Sequence, residues 1–213
     1  MQKQLTFYFI RHGRTKWNEQ GLIQGSGNSP LTKQGIIDAQ KAGMALQHIP
    51  FIAAYSSILQ RTIDTAQHII GQRNIPLFQH IGLNEQHFGS WEGKHIDELR
   101  HLNEFQQMQA DPASYKALSN NGETYQSLAE RISQALQDII AIHQQGNILI
   151  VSHGHTLRLL LALLNGANWH NHRESNRSVS LLNTAISIVH YVENVQGKNF
   201  IIEKINDTQH LNE

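Results

Sequence analysis

Short apolar runs alternate along this chain with stretches whose apolar residues recur every three or four positions. Leu5 to Ile10, Ile52 to Tyr55 and Asn147 to Val151 read as buried strands, and Thr184 to Val192 with Asn199 to Ile205 complete a sheet. Between them, Tyr125, Leu128, Ala129, Ile132, Ala135, Leu136, Ile139 and Ile140 form one apolar stripe at helical spacing, with Ser127 and Glu130 as a candidate capping box. Thr32 is placed to cap a helix running to about Gln47. Another helix is expected from near Ile58 to Gly71, and a very apolar one from Thr156 to Leu164. Strands alternating with helices predict a three-layer α/β/α sandwich around a mostly parallel sheet.

Residues 88–122 break the alternation with a glutamine-rich segment carrying Trp91, Phe105, Met108 and Tyr115. It is expected as a helical insertion over the carboxyl edge of the sheet, with a helix from about Ile96 to Gln109. It is expected to form a lid, with an ordinary helical hairpin packed on the core as the competing reading. No internal boundary is evident, so residues 1–213 are taken as a single domain. The polar tail after Asp207 is expected to fray.

Composition narrows the chemistry. Lys plus Arg and Asp plus Glu are 17 each, so nothing draws the whole molecule to nucleic acid or an anionic membrane, and an anion site must be local. Cysteine is absent, which excludes disulfides, thiolate catalysis and cysteine-bound metals. No signal-like leader or membrane-length apolar run stands out, and a cytoplasmic protein is expected.

Parallel sheets bind ligands beyond the carboxyl ends of their strands. Arg11-His12-Gly13 follows the first strand, Ser56-Ser57 and then Arg61 follow the second, and Ser152-His153-Gly154 follow a third. Leu83-Asn84-Glu85 brings a carboxyl group to the start of the insertion. Two arginines, two histidines and a carboxylate at one edge suit a phosphate-like anion. Gly25-Ser26-Gly27-Asn28 lacks the lysine and hydroxyl pair of a phosphate-binding P-loop and reads as a turn. His153-Gly154-His155 has a spacing that also occurs in metal sites, but neighbouring arginines would repel a divalent cation, so no metal is expected. His155 is read as a helix-start residue or an added pocket donor.

These motifs together resemble the histidine phosphatase superfamily, in its phosphoglycerate-mutase-like branch. Arg11-His12-Gly13-Arg14-Thr15-Lys16-Trp17-Asn18, Ser29-Pro30-Leu31-Thr32-Lys33-Gln34-Gly35, Ser56-Ser57-Ile58-Leu59-Gln60-Arg61-Thr62 and Val151-Ser152-His153-Gly154 carry the resemblance. Leu83-Asn84-Glu85 with Phe88-Gly89-Ser90-Trp91-Glu92-Gly93 resembles the acid-bearing loop, and Gly122-Glu123-Thr124 and Asn183-Thr184 two lesser signatures. The resemblance implies a metal-independent enzyme without a cofactor, in which His12 becomes a phosphohistidine, Arg11, Asn18, Arg61 and His153 hold the phosphoryl oxygens, and Glu85 protonates the leaving oxygen. A structural ion pair of Glu85 with Arg61 or Arg11 is the competing reading.

His12 must attack as a neutral imidazole, so its other nitrogen is expected to donate to a backbone carbonyl near Gly13, while His153 is expected to stay protonated beside phosphate. Leu22 stands where relatives often carry arginine. The insertion lacks the Trp-Arg-Arg-Ser-Tyr-Asp and triple-proline stretches associated with glycolytic mutases. The function expected is therefore hydrolysis of small phosphorylated metabolites, with phosphate as product. A phosphoglycerate mutase and a non-catalytic phospholigand-binding module are the alternatives.

Overall fold

A computed structural model describes residues 2–212. In chain order the elements are β1 (Lys3–Arg11), α1 (Lys16–Glu19), α2 (Lys33–Ala45), β2 (Phe51–Ser56), α3 (Gln60–Ile70), β3 (Leu77–Gln79), α4 (Ile96–Leu99), α5 (Asn103–Ala110), α6 (Tyr125–Ile142), β4 (Gln145–Ser152), α7 (Gly154–Leu164), β5 (Ile186–Asn194) and β6 (Gly197–Asp207). Every expected strand is present; β1, β2, β4 and β6 extend beyond the expected runs, and β5 is shifted two residues later than its own.

The strands form one sheet in the order β3-β2-β4-β1-β5-β6. The four strands β3, β2, β4 and β1 run parallel, and β5 and β6 add an antiparallel edge. Alternate side chains of β1 face opposite layers, as the period of a strand requires. Leu5, Phe7 and Phe9 join Ile132, Leu136, Leu157 and Leu160 of α6 and α7, whereas Tyr8 and Ile10 join Ala39, Ala42, Ala66 and Ile69 of α2 and α3. That division makes the three layers.

Several boundaries differ from the sequence reading. Thr124, not Ser127, caps α6: its side chain accepts from the Ser127 N–H, so the first helical residue is Tyr125. The expected helix from Ile96 is two helices separated at residues 100–102. The short edge strand β3 was not anticipated, because three residues carry no detectable period. The tail does not fray: Gln209–Leu211 forms a 3-10 turn, His210 is buried, and Lys41 Nζ donates to Leu211 O at 3.2 Å.

Trp91, Phe105, Met108 and Tyr115 of the insertion are buried with Tyr125, Leu128 and Leu159 in a third apolar cluster. The segment therefore packs on the first turns of α6 and one face of α7, beside the sheet edge. No helix among the described residues is long and apolar enough to cross a membrane.

Candidate active site

Strand register sets the site. Arg11 pairs with Ser152, and Ser56 with Val151, so β1, β2 and β4 end nearly level and release His12, Ser57 and His153 at one edge. The His12 and His153 rings stand 5.2 Å apart, edge to face. A cavity of about 230 Å³ opens there, lined by Arg11, His12, Asn18, Glu85 and His155 among others.

His12 is fixed from both sides of its backbone. Its N–H donates to Ser152 O at 2.9 Å, and its carbonyl accepts from Asn183 Nδ2 at 2.9 Å. Nδ1 lies 2.8 Å from Gly13 O, the contact expected from the sequence. A carbonyl oxygen only accepts, so Nδ1 carries the hydrogen and Nε2 of the neutral ring keeps its lone pair. Burial, reinforced by Arg61 and Arg11, pushes the His12 pKa well below 6.5, which outweighs the opposing hydrogen bond to Gly13. Gly13 has no room for a side chain: a Cβ there would come within 2.7 Å of Gly35 O.

Both arginines are clamped by main-chain oxygens. Arg11 donates from NH1 to Leu181 O at 2.7 Å; Arg61 donates from NH1 to Gly27 O at 2.9 Å and from NH2 to Gly25 O at 2.7 Å. The glycine-rich turn is thus the cradle of Arg61, and Glu92 braces it by accepting from the Ser26 and Gly27 N–H groups at 3.0 and 2.7 Å. Arg11 Nε, Arg61 Nε and His153 Nδ1 remain buried without a partner among the described residues. Burial is the main cause that lowers the Arg61 pKa to about 10, still charged at neutral pH.

His153 is held differently from His12. Ser57 Oγ lies 2.8 Å from its Nε2, which leaves Nδ1 as the open nitrogen. With only protein groups around it, burial first, then Arg61, His12, Arg11 and Arg131, drives its pKa well below 6.5. Against those protein groups alone the ring favours its neutral form, because the same cations that suit it to phosphate repel its proton.

Glu85 departs from its competing ion-pair reading. Among the described residues it forms no ion pair with Arg11 or Arg61. Its carboxylate instead meets the start of α7: Oε1 accepts from Gln86 N, Thr156 N and Thr156 Oγ1, each at 3.0 Å, and Oε2 accepts only from His155 N at 3.1 Å. A helix N-terminus favours such an anion. The less engaged Oε2 is the oxygen with capacity for a proton. Arg131 holds the loop behind it, donating to Gly82 O, Asn84 O and Glu85 O while paired in a two-point contact with Glu123. The minor Gly122-Glu123-Thr124 signature therefore serves to place Glu85.

Asn18 completes the inner ring. Its Oδ1 accepts from the Thr15 N–H at 3.1 Å and from Asn183 Nδ2 at 3.3 Å, which directs the remaining Nδ2 donor toward the cavity it lines. His155 turns to the outer wall, with Nδ1 2.9 Å from Gln86 Oε1. No group of three or more His, Asp or Glu side chains suited to a metal ion occurs among the described residues.

Sequence reasoning missed Gln24, Arg158 and Arg173, all of which line the cavity. Gln24 Oε1 accepts from Thr15 Oγ1 at 2.8 Å while its Nε2 is buried and unpartnered. Its position six residues after Asn18 was the only available signal. Arg158 sits five residues after His153 on α7 and was legible as part of that motif. Arg173 lies in the irregular stretch before β5 and had no signal.

Comparison with known proteins agrees with this geometry. An adenosylcobalamin/alpha-ribazole phosphatase of Salmonella typhimurium is 35% identical over 170 residues, covering 75% of this chain and 79% of that protein. A 2,3-bisphosphoglycerate-dependent phosphoglycerate mutase of Bartonella quintana is 36% identical over 170 residues, covering 76% and 82%. The solved structure of Bacillus stearothermophilus YhfR superimposes with a TM-score of 0.87 at 32% identity, covering 97% of this chain and 99% of that one. Residues 7–208 match the histidine phosphatase superfamily, branch 1, as a family. A neutral histidine ringed by clamped arginines, on a fold shared with such relatives, places the chain: it belongs to the histidine phosphatase superfamily.

Proposed function

We propose that this protein hydrolyses small phosphomonoesters through a phosphohistidine on His12, without a metal. The observation that carries the reading is the set of unpartnered buried atoms, Arg11 Nε, Arg61 Nε and His153 Nδ1, around an imidazole whose Nε2 lone pair is held free. A phosphoryl group in transfer spreads charge over its three equatorial oxygens, and fixed donors stabilise it without reorganising.

Nε2 of His12 attacks phosphorus as the P–O ester bond breaks, and the leaving oxygen takes a proton from Glu85 Oε2. A water then gives that proton back to Glu85 as its oxygen attacks phosphorus. The P–N bond breaks, and phosphate and neutral His12 are restored. Arg11, Arg61 and Asn18 hold the oxygens throughout. His153 takes up a proton when a dianion enters, since that charge offsets the cations that keep it neutral. Residues 88–122 act as the cover of the pocket, to which they contribute Phe88, Ile96 and Gln109.

The test follows phosphate release and isomer formation from a panel of phosphorylated metabolites, with His12→Ala as control. Phosphate release and acid-labile label on the protein, both lost in the variant, are expected. Phosphoglycerate interconversion with little release would replace this reading by a mutase, and binding without turnover by a phospholigand-binding module.

A further inference from the structure

The end of β6 carries a bulge that the chemistry above leaves unused. Between the pairs Ile186–Asp207 and Ile188–Lys204 the register shifts, so Ile205 and Asn206 together face the single residue Ser187. An extra residue of this kind kinks a strand and re-aims a side chain. Asn206 has φ +59°, the left-handed conformation that asparagine tolerates better than most residues. Its backbone is fastened to β5, because its N–H donates to the buried Ser187 Oγ at 3.0 Å. Its side chain reaches away to the loop before β5, where Oδ1 accepts from the Leu182 N–H at 2.8 Å.

That N–H shares one peptide unit with the Leu181 carbonyl, which accepts from Arg11 NH1 at 2.7 Å. A peptide unit is planar and rigid, so fixing its N–H also fixes the direction of its carbonyl. Each of the two hydrogen bonds polarises the other as well. Arg61 is gripped by two main-chain carbonyls, whereas Leu181 O is the one acceptor that holds Arg11 among the described residues. The Leu182 side chain is exposed and gives the peptide little packing on its side. Finishing the strand would explain the left-handed backbone and the bond to Ser187, for which glycine would serve. It leaves without a reason the side-chain oxygen given to a loop beside Arg11.

We propose that Asn206 is a positioning residue for phosphoryl transfer: by holding the Leu181–Leu182 peptide, it orients the Arg11 guanidinium toward the phosphoryl oxygens. For its kinetic consequence the inference rests on the phosphatase reading of the His12 site. For its effect on phosphate binding it rests on geometry alone.

Asn206→Gly keeps the left-handed backbone and removes only the acceptor. In the full chain it should lower kcat/KM for p-nitrophenyl phosphate by about tenfold, and raise the dissociation constant of inorganic phosphate, measured by calorimetry, by about the same factor. Asn206→Asp retains an oxygen in that place and should stay within about threefold of wild type on both measures. The effect should also vanish where its target is missing: in an Arg11→Met background, adding Asn206→Gly should change either measure by less than about twofold. A strand-end role alone predicts a lower melting temperature with kcat/KM and phosphate affinity of the folded enzyme unchanged, and that result would overturn the inference. So would a tenfold loss that persists without Arg11, or an Asp variant as impaired as the Gly one. If Asn206→Gly does not fold, Ser187→Ala, which releases the Asn206 backbone, takes its place: a loss of about two- to fivefold on both measures is expected, and no loss overturns the inference. Hydrolysis that does not depend on His12 would remove the phosphatase reading instead, while the phosphate affinities still decide for or against Asn206.

Discussion

Arg61 gives both its terminal nitrogens to backbone carbonyls of the Gly25–Gly27 turn, whereas Arg173 leans on the side chains of Tyr125, Gln109 and His155. The carbonyls come from a crowded glycine turn, in which a Cβ on Gly25 would meet Gln86 O at 2.6 Å, whereas the tyrosine hydroxyl is lost with a single side-chain change. The inner wall of the pocket is therefore held by a turn that resists substitution, and the outer wall is retuned by single changes. Constant chemistry with adjustable substrate choice follows from that division of partners, and relatives named as a phosphatase and as a mutase fit it.

The sharpest way to break the comparison is to remove the proposed proton donor of the inner wall. Glu85→Gln should lower kcat by about 10²–10³-fold for alkyl esters, within the range of general acid–base catalysis, and far less for p-nitrophenyl phosphate, whose leaving group needs no proton. An equal loss on both esters, accompanied by a collapse of thermal stability, would show that Glu85 matters only as the anion at the start of α7.

Charge-conserving exchanges compare the walls directly. Arg61→Lys retains a cation but loses the fork that spans two carbonyls and the phosphate, and should cost roughly 100-fold in kcat/KM, as misplaced groups do. Arg173→Lys should cost only about two- to fivefold, since a flexible ammonium can still reach those side-chain partners. Steady-state kinetics on one ester measures both, and similar losses would erase the distinction between the walls.

A smaller effect is expected from Glu123→Gln, which loosens Arg131 and with it the loop that carries Glu85. A fall of about tenfold in kcat with little change in KM, reduced for p-nitrophenyl phosphate, would mark Glu123 as a positioning residue. Thermal unfolding should drop by roughly 2–6 °C, the scale of a lost charged hydrogen bond in a domain of this size.

The mildest prediction concerns pH. His12, His153 and His155 are all held well below their ordinary pKa, chiefly by burial, so the unfolded chain binds more protons than the folded one just below pH 6.5. Their contribution to stability is complete above about pH 6.5, the unfolded value, and is lost as pH falls toward the folded values. Each contributes up to about 1.4 kcal/mol per pH unit in that window. Urea unfolding at pH 7.5, 6 and 5 should show the slope, while the acid limb of kcat/KM assigned to His12 should lie well below 6.5.

What could be read from sequence follows the same inner and outer division. Strand ends, Arg11, His12, Arg61, Glu85 and His153 were legible because each sits within a few residues of an apolar run whose period fixes it in space. Glu85 was placed correctly but its partners were not, since the N–H groups of His155 and Thr156 come from a helix 70 residues away and no pattern records that approach. Arg173 was invisible for the same reason: it reaches the pocket from an irregular stretch that has no periodicity. The lowering of the His153 pKa was not legible either, because burial and neighbouring arginines are properties of the assembled site.

The position of β1 has a consequence for how the protein comes into being. It lies between β4 and β5, and its terminal residues are gripped late in the chain: Thr184 N donates to Arg11 O at 2.9 Å and Asn183 reaches the His12 carbonyl. His12 precedes Asn183 by 171 residues, so it cannot acquire its working geometry until that later segment has been synthesised and has folded back onto β1. Nascent fragments ending before residue 183 should therefore be inert toward phosphoesters, so reactivity waits on that late segment.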